Sequence, residues 1–196
     1  MKKNISRLLF GIYALGIIIT NACSQNLHSS QGETEDYKVY SEILLSWSDG
    51  KGYEFIVNKL TNDKMIRQFN FKNPKEHLID TISDRVIYND DWKHFLDDVN
   101  PSQIRNHDLS NNFKGGSFRV HLSEKNKGNT FPSTVNYERY NGTIFFSPIL
   151  FSEDHKKAIC TIENYVSPEN AGGTIVFLQK EGGKWVIVDH ITLFIS

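Results

Sequence analysis

Cys160 and His190 are the two side chains of this chain best suited to nucleophilic chemistry, since a thiolate attacks and an imidazole carries the proton. The surroundings of the cysteine argue against that use. Cys160 lies in Ala158-Ile159-Cys160-Thr161-Ile162, an apolar strand-like run, whereas a reactive thiol needs a helix N-terminus or a cation to lower its pKa. A buried, inert thiol is expected. The seven histidines raise metal binding, yet no His-x-His, His-Glu-x-x-His or Cys-x-x-Cys occurs, and Asp189 and His190 point to opposite faces if they share a strand. The acid pairs Asp90-Asp91 and Asp97-Asp98 flank one expected helix and lack the alternating carboxylates of a calcium loop. Gly116-Ser117-Phe118 lacks the second glycine of a hydrolase elbow. Trp47, Trp92 and Trp185 each sit in an apolar periodic run, which reads as core rather than as a carbohydrate platform. No cofactor is expected. The remaining enzyme-like option is a concave sheet whose pocket is lined by His190, His121 or Tyr137.

These residues must be positioned by elements that the sequence outlines. A helix opens at a Thr34 cap, with Glu35 and Asp36 in its first turn and Gly50 at its end, burying a stripe of Tyr37, Tyr40, Leu44 and Trp47 widened by Val39 and Ile43. Tyr53 to Leu60 reads as a strand. Asn73-Pro74-Lys75-Glu76 starts a second helix leading into Leu78, Ile79 and Ile82. Arg85 to Tyr88 reads as a short strand, and Asn89 caps a third helix whose Trp92, Phe95, Leu96 and Val99 share a face before Pro101 stops it. From about Ser117 an antiparallel meander is expected. Asn141-Gly142 forms a hairpin between Thr134–Tyr140 and Thr143–Phe151, Glu153 to Lys156 turns the chain into Ala158–Val166, and Ser167 to Gly173 turns it again. Glu181-Gly182-Gly183 then joins Thr174–Lys180 to Lys184–Ile195, where apolar residues change parity near Asp189-His190 and predict a bulge. The fold class is α+β, with N-terminal helices packed on one face of a C-terminal antiparallel β-meander sheet.

Cys23 answers a different question, that of address. Lys2, Lys3 and Arg7 precede an apolar run, Leu8 to Ile19, too short to span a bilayer comfortably, and Thr20-Asn21-Ala22-Cys23 follows. This leader resembles that of bacterial lipoproteins, and the resemblance implies that Cys23 is diacylated and becomes the mature N-terminus. The domain plan is then a signal peptide over 1–22, a tether over 23–36 and one globular domain over 37–196. Ser24 to Asp36 is polar and aperiodic, a coil reaching about 20 Å from the membrane surface. The chain has 22 basic and 23 acidic residues, and losing Lys2, Lys3 and Arg7 moves the balance further acidic, so nucleic acid is excluded as a partner. Phe146-Ser147-Pro148-Ile149-Leu150-Phe151 and the closing Gly182-Gly183-Lys184-Trp185-Val186-Ile187 to Ser196 are similar to small envelope lipoproteins of unknown function. The Gly-Lys-Trp-x-Ile strand also looks like cystatin-like α+β cones. The leading expectation is a non-catalytic envelope lipoprotein that binds another envelope protein or a wall component, anchored through the lipid on Cys23. The alternative is a cystatin-like cone with a small-ligand pocket or hydrolase activity.

Overall fold

The computed structural model describes residues 35–48, 53–77, 85–115, 118–124, 142–167 and 169–196. The leader, Cys23, the Thr34 cap, Gly50, the continuation through Leu78, Ile79 and Ile82, the strand Thr134–Tyr140 and Tyr137 lie outside those residues. The chain divides into two compact units, Met1–Tyr37 and Lys38–Ser196; of the first, only the helical residues 35–37 are described.

In the second unit an open mixed sheet and a few helices make an α+β fold. Among the described residues seven strands run β1 (Tyr53–Asn58), β2 (Phe118–Ser123), β3 (Thr143–Phe146), β4 (Leu150–Phe151), β5 (Lys157–Ser167), β6 (Asn170–Glu181) and β7 (Lys184–Ile195). Their order across the sheet is β2-β1-β3-β5-β6-β7, with β4 also on β5. The meander expectation holds for β5, β6 and β7, which are consecutive and antiparallel. It fails for β1, which comes early in the chain yet lies parallel to both β2 and β3 in the same sheet. Among the described residues β3 pairs with β1 and β5, and the first strand of the hairpin expected of Asn141-Gly142 lies outside the described residues. Gly182 and Gly183, with φ of +56° and +83°, make the two-residue turn between β6 and β7. The turn expected over Ser167 to Gly173 is shorter, because β6 already begins at Asn170 and carries Gly172 and Gly173 within it.

Helices cover both faces of the sheet, not one. The helix 35–47 (α1) sets Tyr40 against Phe146, ring centroids 4.6 Å apart, and the Tyr40 hydroxyl donates to the Ser147 carbonyl at 2.8 Å. Phe146 stands opposite Ile162, whereas the neighbouring Thr161 pairs with Ile175 on the other face. That other face carries Ile159, Ile175, Phe177 and Ile191, which share one core with Ile66 of α2 (Lys64–Gln68) and Trp92 and Leu96 of α3 (Asp90–Asp98). The α3 start is as the sequence predicts, since the Asn89 side chain accepts the Trp92 N–H at 2.9 Å.

Three local expectations are corrected. Arg85 to Tyr88 is not a strand: Val86–Tyr88 winds into a 3-10 turn that buries Ile87 and leads directly into the Asn89 cap. Pro74–His77 is likewise a 3-10 turn rather than the first turn of an α-helix. Trp47 is 39 % exposed instead of closing the buried stripe of α1, because the stripe continues from Leu44 by four residues to the fully buried Ser48, whose hydroxyl donates to the Leu45 carbonyl.

Candidate binding surface

The sheet register separates the residues that could have acted together. Cys160 stands opposite Val176, which stands opposite His190, so a strand lies between the two and their backbones are about 10 Å apart. Cys160 is fully buried, and its thiol lies 3.3 Å from the Thr161 carbonyl and 3.7 Å from the Ser147 hydroxyl. His121 is on β2 and His190 on β7, at opposite edges of the sheet and on opposite faces, so they do not converge on one pocket. His121 Nε2 instead contacts Glu54 Oε2 at 3.0 Å, on the adjoining strand.

One member of each acid pair has a lysine partner. Asp91, at the N-terminus of α3, accepts from the buried Lys157 Nζ at 2.8 Å, and that ammonium sits 6.0 Å from the centre of the Trp92 ring. Asp97 pairs with Lys93 one turn earlier at 2.9 Å, offsetting its unfavourable place at the helix end. Among the described residues no three His, Cys, Asp or Glu side chains are grouped to hold a metal ion. Trp92 and Trp185 are core residues, the latter flanked by Phe151 at 5.7 Å and Lys180 Nζ at 4.7 Å.

A polar group at the middle of β7 was not anticipated. Arg85 reaches Asp189, Nη1 to Oδ1 3.3 Å, with both side chains only 12 % exposed. Burial raises the phenol of the adjacent Tyr88 above its ordinary pKa, Arg85 pulls it down and Asp189 pushes it up. Their positions coincide with the predicted bulge, since the β6–β7 register shifts between Phe177 and Leu178.

Among the described residues, four exposed large apolar side chains fall at the far end of the meander. Tyr165 (38 %) and Val166 (41 %) end β5, and Phe194 (36 %) and Ile195 (79 %) end β7. Register puts them at the same end of the sheet but on both of its faces: Tyr165, opposite Ala171, shares a face with Phe194, opposite Gly173, whereas Ile195, opposite Gly172, points to the other. The glycines between them form a backbone floor. A Cβ on Gly173 would lie 2.3 Å from Phe194 Cε1 and 2.5 Å from Met65 Cε, so the Phe194 ring rests directly on the strand. Large apolar side chains left in water at one end of a sheet, here on both of its faces, are characteristic of a contact surface. The sequence carried a faint sign of it: Tyr165-Val166 and Leu193-Phe194-Ile195 put apolar residues on both strand faces at once, a pattern that only a covered strand or a docking end needs. No protein-family model, curated protein or solved structure matches the chain.

Proposed function

We propose that this chain is a bacterial envelope lipoprotein, acylated at Cys23 and held by the polar tether behind it, whose 37–196 domain binds another envelope protein without catalysing a reaction on it. The observation that carries the binding part is the exposed group Tyr165, Val166, Phe194 and Ile195 at one end of the β5–β7 meander. Its apolar character favours a protein face over a glycan of the wall, which would require exposed hydrogen-bonding groups beside the rings. Helices preceding the meander in the chain and backing it keep that end rigid, which lowers the ordering cost of binding. A tether of this reach lets the surface search laterally while the lipid confines it near the membrane.

The address is tested by comparing the native chain with Cys23→Ser in one host. The native chain is expected in the membrane fraction, with an N-terminal peptide carrying the mass of a diacylated cysteine, and Cys23→Ser in the soluble fraction. A soluble native protein with an unmodified Cys23 would overturn the lipoprotein reading.

A further inference from the structure

An open sheet edge presents outward N–H and C=O groups to any other strand that approaches. Among the described residues β7 is such an edge, paired to β6 alone. Its outward residues can be identified from β6. The Lys180 N–H donates to the Lys156 carbonyl on the β5 side at 2.8 Å, so even-numbered residues of β6 bond towards β5. Odd-numbered ones bond towards β7, as the Ala171 carbonyl does in accepting the Ser196 N–H at 2.9 Å. His190 stands opposite the even-numbered Val176, so both of its backbone groups point away from β6.

Those two groups are occupied. Asp189 Oδ1 accepts the His190 N–H at 2.8 Å, and Arg85 Nη1 donates to the His190 carbonyl while also reaching Asp189 Oδ1. We propose that the Arg85–Asp189 pair is an edge lock, which holds the backbone of His190 in mid-strand and so prevents the β7 strand of a second copy from adding to this sheet. An antiparallel partner bonds through alternate residues, and losing His190 breaks its ladder in the middle of β7. Register shifts on either side of His190, at Phe177/Leu178 and at Gly173/Thr174, shorten the regular stretches further. Arginine suits the task because its charge is fixed and a single guanidinium nitrogen, Nη1, directs its two N–H groups at the carboxylate and the carbonyl together. A second copy is the partner to exclude, since an identical strand meets this edge by two-fold symmetry without any further complementarity.

The test uses the full chain in a Cys23→Ser background, so that neither acylation nor a Cys23 disulfide contributes to association, with mass read by light scattering. The parent is expected to be monomeric, Arg85→Ala to form dimers or larger species, and Arg85→Ala/Thr192→Lys to return to monomer, because a lysine on the same edge repels a pairing strand. A folded Arg85→Ala chain that stays monomeric overturns the proposal, as does association that Thr192→Lys fails to reverse. Should Arg85→Ala not fold, Asp189→Ala is read by exchange of the His190 amide. It should be about tenfold faster than in the parent once its charge-assisted acceptor is gone, and an unchanged rate refutes the lock.

Discussion

Replacing Phe177 by alanine should cost this domain a large share of its stability, because Phe177 is where the sheet shares one core with α2 and α3. The ring is fully buried and meets Trp92 of α3 edge-on at 5.7 Å and 86°, and Phe69, just after α2, at 6.5 Å and 62°. Truncating a buried phenylalanine costs about 3–5 kcal/mol, of which the two edge-to-face contacts account for about 0.5–1.5 kcal/mol each. Against a total of about 5–15 kcal/mol, that loss is decisive. With a urea m-value of about 2 kcal/mol per molar, the midpoint should fall by about 2 M. Phe177→Leu, which retains much of the volume but neither ring contact, should lose about 1–2 kcal/mol. Urea unfolding followed by tryptophan fluorescence reads both variants, with the m-value checked for constancy. If Phe177→Ala lowers stability by less than about 1 kcal/mol at unchanged m, the helices and the sheet do not share this core and the packing account fails.

Three further outcomes are expected. Gly142→Ala should destabilise by about 2–3 kcal/mol in urea, since its φ is +89° and a Cβ would lie 2.7 Å from both Asn164 Oδ1 and the Tyr165 carbonyl oxygen; an unchanged midpoint would contradict it. Asp63 is held below the ordinary carboxylate pKa chiefly by its hydrogen bond from Arg67, so the folded state binds that proton less readily than the unfolded chain. Its contribution is therefore complete above about pH 4 and is lost as pH falls through the lowered folded value; the urea midpoint of Asp63→Asn should lie below that of the parent at pH 7 and converge with it in acid. Cys160, in a Cys23→Ser background, should resist a thiol reagent when folded and react fully in denaturant, and rapid labelling of the folded chain would refute its burial.

Local chemistry made parts of this fold legible. The Asn89 cap with Pro101 beyond fixed the third helix, the Gly182-Gly183 pair fixed the last hairpin, and the parity change in 184–195 located the bulge beside Asp189. Strand partners were not legible, because alternation records which face is buried but not which strand lies alongside or in which direction. The parallel joining of β1 to β2 and β3 thus escaped notice, and with it the mixed character of the sheet. Arg85 to Tyr88 has strand-favouring residues, yet burial of Ile87 and the pull of Arg85 towards Asp189 override that preference. Glycines 172 and 173 read as a turn because no local signal shows that Phe194, twenty-one residues beyond Gly173, supplies the covering they lack. The candidate surface was hidden for the same reason: exposure at Tyr165, Val166 and Ile195 depends on where two distant strand ends meet.

The most direct test of the proposed function places a photo-crosslinking residue at Ile195, and as a control at the exposed Lys93 of α3, in the native chain and in Cys23→Ser expressed in the same host. One protein, identified by mass spectrometry, should crosslink from position 195 in the native chain, weakly or not at all from position 93, and with lower yield once Cys23→Ser releases the domain from the membrane. Equal, non-specific products from both positions, or crosslinks to lipid alone, would contradict a tethered protein-binding domain.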